Sequence, residues 1–197
     1  IAHISDTHLG FRAFGRTTPT GFNQREVDVM RTFRTCLEQV RESEPDVIVH
    51  SGDFFHVVRP TNATIYHAFK SVAEIQAKRK GKPFILIGGN HDTPRMAESG
   101  NILHLFAEIP GVDVHTGGAE AFAIDDLDLE VLCVPSNSLL GKETLEWAPQ
   151  LHRKHSLLTL HGMAKEAISD AAEFEVSQTK PDRWTYEIGR ASCRERV

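Results

Sequence analysis

Polar residues of the kinds that bind divalent metal ions follow four short apolar runs of the sequence. The four clusters are Asp6-Thr7-His8, Gly52-Asp53-Phe54-Phe55-His56, Gly88-Gly89-Asn90-His91-Asp92 and His161-Gly162. Carboxylate, amide oxygen and imidazole ligands without a thiolate are typical of manganese or iron sites, and zinc is also compatible with them. A single ion would need only three or four of these groups, so the surplus predicts two ions.

Two ions at such a site would need an anion between them. Dications about 3.5 to 4 Å apart repel each other by roughly 17 kcal/mol at an effective dielectric constant of about 20. Asp53 lies at the centre of the clusters, after a glycine that permits a tight turn, and is the candidate for a bridging carboxylate. A shared hydroxide would be the second bridge and would attack a phosphate ester. His91 could then protonate the leaving oxygen, and Asp92 could hold the other ring nitrogen of His91.

The elements that position these clusters follow from strand-length apolar runs that alternate with segments of helical period, a pattern typical of an α/β fold. The strands are expected to begin at Ile1, Asp46, Phe84, Leu129 and Ser156. The helices are expected over Asn23 to about Ser43, Asn62 to about Gly81, Glu98 to Ala107 and Lys142 to Leu151. Asn23 and Glu26 are expected to form a capping box, and turn signals between Val112 and Val134 predict hairpins. Ligands of open α/β sheets bind beyond the carboxyl ends of strands, so the clusters should converge.

Size and composition agree with one α/β domain. The chain has 197 residues, of which 40% are hydrophobic and 25% are charged. It contains no apolar run of membrane-spanning length and no signal-peptide pattern, which predicts a cytoplasmic enzyme. Cys36, Cys133 and Cys193 are widely spaced and odd in number, which argues against a disulfide framework and against a thiolate metal site. The net charge of −5 provides no overall basic surface for nucleic acid.

The motifs Asp-x-His, Gly-Asp-x-x-His and Gly-Asn-His-Asp, in this order and with a later His-Gly, resemble those of the calcineurin-like metallophosphoesterases. The segments HISDTHLG, HSGDFFHVVRPTN and GNHDTPR are similar to the SbcD branch, the nuclease subunit of bacterial double-strand-break processing, and to its Mre-type relatives. The resemblance extends to about Tyr186. It implies an αββα sandwich, in which two mixed β-sheets are flanked by helices.

The resemblance also implies a role for each cluster. Its ligands for two divalent ions, with Mn²⁺ expected first and Fe or Zn as alternatives, would be Asp6, His8 and Asp53 for one ion and Asp53, Asn90 and His161 for the other. His91 would be the proton donor, and His56 would support His91 and the scissile phosphate. The implied partners are DNA, an SbcC-type ABC ATPase and a second copy of the chain. The segments that begin at Asn62 and Glu98 are the candidates for the dimer contact.

The loop between Gly10 and Glu26 is the candidate substrate-binding segment. It carries Arg12, Arg16 and Arg25, interleaved with Phe11 and Phe14. Arginines beside stacking rings suit a nucleic-acid backbone, and the alternative is an ordinary loop that covers the sheet edge. Among the remaining histidines, His3 and His50 are expected in the core or in a second layer. The histidines expected to face solvent are His67, His104, His115, His152 and His155.

The sequence is compatible with three functions. The leading one is a metal-dependent DNA exonuclease or endonuclease of double-strand-break repair. The second is a phosphatase or phosphodiesterase that acts on small phosphate esters, and the acidic net charge favours it. The third is an inactive fragment.

The possibility of an inactive fragment rests on the final residues of the sequence. The family pattern has one more strand that ends in Gly-His-x-His, and this sequence has no histidine after His161. The last eleven residues, Glu187 to Val197, coincide with one reading frame of a sequencing adapter. We therefore expect residues 1–186 to be a catalytic domain that is incomplete at both ends, and residues 187–197 to be a non-native tail. Each ion would then lack one histidine ligand.

Overall fold

The computed structural model describes residues 1–94, 100–140, 144–147, 153–162 and 184–187. Within these ranges the chain forms nine strands, two α-helices and three short 3₁₀ helices. The strands are β1 Ala2–Ile4, β2 Ile48–His50, β3 Phe84–Ile87, β4 Val112–His115, β5 Glu120–Ile124, β6 Leu129–Val134, β7 Thr144–Trp147, β8 His155–Leu160 and β9 Trp184–Glu187. The α-helices are α1 Gln24–Glu42 and α2 Asn62–Arg79, and the 3₁₀ helices are Ile102–Glu108, Asp125–Leu127 and Ser136–Leu139.

The strands form two main sheets, and the predicted α/β class is confirmed. The first sheet has the order β1-β2-β3-β4 and is parallel throughout. The second sheet has the order β5-β6-β8, and it is mixed because β5 is antiparallel and β8 is parallel to β6. Strands β7 and β9 form a separate antiparallel pair. Since β1, β2 and β3 are parallel neighbours, the loops that follow them leave the sheet at the same edge.

Side chains of the central strands alternate between two buried layers, as expected for a strand covered on both faces. In β3, Phe84 and Leu86 pack in the core that includes residues of α1 and α2. Ile85 and Ile87 pack in a second core with Val131 of β6, between the two sheets. Each fully buried side chain of this kind contributes about 1.5–3 kcal/mol to stability. The first sheet is therefore held from both sides, and its loop-bearing edge is fixed in place.

Helix α1 begins at the predicted cap, but the capping box does not form. The Asn23 side chain accepts hydrogen bonds from the backbone N–H groups of Arg25 and Glu26. The buried Glu26 carboxylate accepts from Arg12 Nε at 2.7 Å and from Thr64 Oγ1 at 2.7 Å. A buried carboxylate needs strong donors, and these two are supplied from other parts of the fold. Glu26 therefore links the loop after β1 and both helices instead of capping α1.

Three other sequence expectations need correction. Thr144–Trp147, inside the expected helix from Lys142 to Leu151, is strand β7, so that prediction is wrong. Threonine and tryptophan favour strands, and the partner strand β9 lies far along the chain where a local pattern cannot detect it. The expected helix from Glu98 is a 3₁₀ helix over Ile102–Glu108, and Glu98 itself lies outside the described residues. The expected hairpin exists for β5 and β6, whereas β4 pairs in parallel with β3.

The exposure of the remaining histidines differs in part from the prediction. His50 is fully buried as predicted, but His3 is exposed at the edge strand β1, and His115 is largely buried against the Phe122 ring. Histidines confirmed as exposed are His67, His104 and His155, while His152 lies outside the described residues. Cys36 and Cys133 are free thiols. In the part of the chain that the structure describes, neither helix has the length and apolarity to cross a membrane.

Arg79 joins the end of α2 to the segments that enter β2 and β3. The buried guanidinium donates to the backbone carbonyl oxygens of Pro45, Lys82 and Pro83, at 3.2, 3.1 and 3.4 Å, and to Gln76 Oε1 at 2.6 Å. A cation in the last turn also interacts favourably with the helix dipole. This one side chain therefore satisfies several acceptors at the end of the sheet opposite to the polar clusters.

Replacement of Arg79 by methionine should lower the free energy of unfolding by about 2–4 kcal/mol, since buried carbonyl oxygens would lose their donors. Urea denaturation followed by circular dichroism measures this change. The matched control is Lys78→Met, which removes only an exposed contact with Glu38. A control variant as unstable as Arg79→Met would contradict the role given to Arg79.

Candidate metal centre

The structure brings the four polar clusters together at the carboxyl ends of β1, β2, β3 and β8. The loop after β1 runs beside the loop after β2, because the N–H of Asp6 donates to the Gly52 carbonyl oxygen at 3.1 Å and the N–H of His8 donates to that of Asp53 at 2.9 Å. The His91 N–H donates to Asp53 Oδ1 at 2.9 Å. The loops are thus connected by backbone hydrogen bonds and do not depend on side chains alone for their arrangement.

Three of the predicted ligands have left-handed backbone conformations. The φ angles are +53° for Asp6, +44° for His8 and +52° for Asp53. For residues other than glycine this region costs roughly 1–2 kcal/mol each, and such strain persists only where surrounding structure enforces it. The turns allow Asp6 and His8, two residues apart, to approach Asp53 together. Strain concentrated on these residues supports a functional role for the site.

Asp53 lies between two imidazole rings. His8 Nε2 is 3.6 Å from Asp53 Oδ2, and His161 Nε2 is 3.4 Å from Asp53 Oδ1. His161 Nε2 is also 3.1 Å from Asn90 Oδ1. Asp6, Asp53 and His161 each present one ligand atom within 4.8 Å of the others. Carboxylate, amide and imidazole donors at these distances fit a divalent ion. Asp6, Asp53, Asn90 and His161 line a cleft of about 340 Å³.

The charges of Asp53 and His161 stabilise each other. Burial alone would raise the pKa of Asp53, but hydrogen bonds from His161 and from the His91 N–H outweigh this effect, and the pKa of Asp53 lies below its ordinary value. Burial likewise would lower the pKa of His161, and the adjacent Asp53 carboxylate raises that pKa above its ordinary value. The centre therefore favours a positive charge next to Asp53, as a metal-binding centre must.

A second group of metal-binding side chains lies beside the first. His8, His56 and His91 each present a ring nitrogen within 4.8 Å of the others. His56 Nδ1 is 3.4 Å from His8 Nδ1, and the rings of His56 and His91 stack with centroids 5.2 Å apart. Burial, followed by the neighbouring His8 and His91, lowers the pKa of His56. The ring of Phe11 packs edge-on against His56 with a centroid distance of 4.7 Å.

Asp92 does not orient the His91 ring, contrary to the sequence expectation. Its Oδ1 accepts from the Gly89 N–H at 2.8 Å, and its Oδ2 accepts from the N–H groups of Phe54 at 2.6 Å and Phe55 at 3.3 Å. Burial raises the pKa of Asp92 to about 6. The carbonyl oxygen of His56 instead lies 3.0 Å from His91 Nδ1. A carbonyl oxygen can only accept, so His91 Nδ1 carries a proton and Nε2 is the nitrogen left for other partners.

Two glycines allow residues from different strands to touch. A methyl group on Gly89 would overlap the backbone nitrogen and Oδ1 of Asp53, and one on Gly52 would overlap the His161 ring. Gly52 also has a φ of +96°, which is easily adopted only by glycine. The sequence indicated a turn at Gly52, but it gave no sign that Gly89 provides space for Asp53.

His50 is a supporting residue whose contact the sequence did not reveal. The ring is fully buried, and its Nε2 is 3.0 Å from Thr7 Oγ1, while Thr7 Oγ1 donates to the Phe54 carbonyl oxygen at 3.0 Å. The hydroxyl proton is used by that carbonyl, so the hydroxyl accepts from His50 Nε2–H. Burial, followed by the nearby His161 and His3, lowers the pKa of His50 to about 3. His50 is neutral and holds Thr7, which lies between Asp6 and His8.

The arginine loop contacts the rest of the protein at its start and carries exposed arginines. The side chains of Arg12, Arg16 and Arg25 are exposed, and Arg12 Nε is held by Glu26. Phe14 is 88% exposed, whereas Phe11 contacts His56. The structure therefore connects the loop to the metal centre through Phe11, and contact of the arginines with substrate remains a prediction.

Replacement of Gly89 by alanine should lower the affinity for Mn²⁺ about ten- to a hundredfold, because the added methyl group would displace Asp53. Calorimetric titration measures the affinity, and far-UV circular dichroism checks that the variant is folded. Gly117→Ala is the control, since a methyl group there would meet none of the described residues within 4 Å. Equal affinities for the two variants would contradict the proposed function of Gly89.

Replacement of Thr7 by valine should lower the free energy of unfolding by about 1–3 kcal/mol, because the buried His50 Nε2–H would lose its acceptor. Thr7→Ser keeps the hydroxyl and should recover most of the loss. Urea denaturation of both variants provides the comparison. A serine variant no more stable than the valine variant would show that the hydroxyl is not responsible.

Comparison with known proteins agrees with this geometry. The family description "Calcineurin-like phosphoesterase" matches residues 1–188. The chain is 33% identical over 118 residues to the DNA double-strand break repair protein Mre11 of Methanococcus maripaludis, covering 60% of this chain and 30% of the relative. It is 38% identical over 95 residues to the protein of that name from Saccharolobus solfataricus, covering 48% and 23%. The chain thus spans about a third or less of these relatives.

A solved structure, the Pseudomonas putida nuclease MPE, aligns with 83% of this chain and 60% of its own, at 16% identity and a TM-score of 0.39. At that score the likeness adds nothing to the assignment. The match over residues 1–188 is decisive, because it extends over nearly the whole chain. The chain belongs to the calcineurin-like phosphoesterase family.

Proposed function

We propose that this chain is the catalytic part of a nuclease of the SbcD and Mre type, which hydrolyses DNA phosphodiester bonds. The reaction would use two divalent ions, and Mn²⁺ is the ion that we expect. The observation that carries the proposal is the position of Asp53 between His8 at 3.6 Å and His161 at 3.4 Å. One carboxylate with a different imidazole near each oxygen is the arrangement that a bridging ligand requires. The names of the relatives, DNA double-strand break repair proteins, support DNA as the substrate.

The proposed ligands divide around this carboxylate. Asp6 and His8 would hold one ion with Asp53, and Asn90 and His161 would hold the other ion with Asp53. When bound, a pair of ions of this kind activates water and neutralises the charge of the phosphate oxygens. The backbone N–H of His91 donates to Asp53 Oδ1, and this hydrogen bond fixes the loop that carries Asn90 relative to Asp53.

His91 is the proposed proton donor to the leaving oxygen. Its Nδ1–H is held by the His56 carbonyl oxygen, which orients the ring and leaves Nε2 to face other partners. In the doubly protonated ring, Nε2–H would give its proton to the leaving oxygen. The Nδ1–H group would stay hydrogen-bonded to the His56 carbonyl oxygen. His56, stacked on His91, would contact the same phosphate. Asp92 acts indirectly, since it fixes the amides of Gly89 and Phe54.

DNA would reach this centre along the loop after β1. Arg12, Arg16 and Arg25 are exposed on that loop and at the start of α1, where their charge can meet a phosphate backbone. The proposal includes a homodimer through the segments from Asn62 and from Glu98, and an SbcC-type ABC ATPase partner. These partners follow from the resemblance of the motifs and from the names of the relatives.

A phosphatase or phosphodiesterase acting on small esters is the second candidate. It would use the same centre and the same His91. The net charge of −5 favours it, because a DNA-binding protein gains affinity from positive charge. The two candidate activities differ in their substrate, because only the nuclease would bind and cleave the phosphate backbone of DNA.

The deciding experiment offers the 197-residue chain both substrates with Mn²⁺: linear duplex DNA labelled at its ends, and a chromogenic phosphodiester. We expect DNA to be cleaved, and we expect Asp53→Asn and His91→Asn each to lower the rate about 100-fold or more. His155→Asn, at an exposed position at the start of β8, is the control and should cleave normally. Hydrolysis of the small ester alone would establish the second candidate, and hydrolysis of neither substrate would establish an inactive fragment.

A further inference from the structure

His8 lies between two groups of ligand atoms. Its Nε2 faces Asp53 Oδ2 at 3.6 Å, and its Nδ1 faces His56 Nδ1 at 3.4 Å. On the Asp53 side the donors are carboxylates and an imidazole, and on the other side they are the imidazoles of His56 and His91. The proposed hydrolysis uses the first group as metal ligands and gives His56 and His91 no metal.

We infer that His8, His56 and His91 form a separate site for a zinc-like transition-metal ion, and that this ion competes with the catalytic ions for His8. Three neutral imidazoles with one open position are a known ligand set for zinc. Imidazole also suits copper and nickel, whereas carboxylate and amide oxygens suit manganese. The two groups of ligands therefore differ in the ions that they select.

The distances agree with such a site. Tetrahedral zinc with bonds of about 2.0–2.1 Å places its nitrogen ligands about 3.3–3.4 Å apart. The Nδ1 atoms of His8 and His56 are already 3.4 Å apart. A nitrogen of His91 lies within 4.8 Å of a nitrogen of each of the other two rings.

The three rings are held in position by the backbone around them. The N–H of His8 donates to the Asp53 carbonyl oxygen at 2.9 Å, and the N–H of His56 donates to the Leu9 carbonyl oxygen at 3.0 Å. His91 Nδ1 is fixed by the His56 carbonyl oxygen, a typical second contact of a metal-binding histidine. Phe11 covers one edge of the His56 ring. The backbone positions of His8 and His56 and the ring of His91 are thus set before an ion binds.

An ion bound here would block hydrolysis. It would take the Nε2 lone pair of His91, which the proposed reaction uses to carry a proton. It would also leave the proton of His8 on Nε2, so that this nitrogen could not bind an ion beside Asp53. Inhibition by zinc therefore rests on the proposed function. Binding of the ion does not, since it depends only on the three histidines.

Cobalt(II) is the probe, because tetrahedral Co²⁺ ligated by imidazoles has strong visible absorption and Zn²⁺ displaces it. Titrations are made at about pH 7.5, where imidazoles of ordinary pKa are neutral. We expect His56→Gln to lose this absorption and one equivalent of Zn²⁺ while its Mn²⁺ affinity is kept. Asp6→Asn should show the reverse, with weakened Mn²⁺ binding and unchanged Co²⁺ absorption. His67→Gln, at an exposed position of α2, is the matched control.

The inference is overturned if His56→Gln, shown to be folded by circular dichroism, keeps the absorption and the Zn²⁺ stoichiometry. It is also overturned if Asp6→Asn loses the absorption as completely as His56→Gln, because zinc would then occupy the carboxylate group. These measurements contain no DNA. If the chain binds Co²⁺ as expected but cleaves no DNA with Mn²⁺, the proposed function fails and the three-histidine site remains.

Discussion

The buried carboxylate of Asp53 is the interaction on which the rest of the centre depends. Only 4% of this residue is exposed, and an isolated carboxylate in such a place would be very costly. Its charge is balanced by His161 and by the His91 N–H, which come from the loops after two other strands. The backbone accepts left-handed conformations at Asp53 and His8 to make these contacts. Removal of the carboxylate would therefore disturb three loops together.

Such strain can be maintained because the strands that carry the loops are short and fully covered. Strand β2 has only three residues, all buried, and it lies between β1 and β3 in one parallel sheet. Two apolar cores, one on each face of the sheet, fix the positions of the strands by close packing. His50 extends this rigidity into the site, since it links the end of β2 to Thr7. Stability from ordinary apolar packing thus offsets the conformational cost of the metal centre.

The sequence predicted features that depend on nearby residues better than features that depend on distant ones. Both α-helices were predicted to within a few residues, because caps and apolar periodicity are local signals. The sequence predicts a helix where β7 lies, because the pairing that makes this segment a strand is with β9, some forty residues further along the chain. The partners of Asp92 and the space provided by Gly89 depend in the same way on loops that meet only after folding. Residue types and their order therefore identified the candidate ligands, and only the structure shows what holds them in place.

The chemistry of His8 couples the two groups of ligands. A neutral imidazole has one nitrogen with a free lone pair and one that carries a proton. If Nε2 binds an ion beside Asp53, Nδ1 carries the proton and turns a donor toward His56, which excludes an ion there. If Nδ1 binds an ion with His56 and His91, Nε2–H faces the Asp53 carboxylate and satisfies it with a hydrogen bond. Each ion must therefore weaken the binding of the other by the same factor, because the coupling of two binding equilibria is reciprocal.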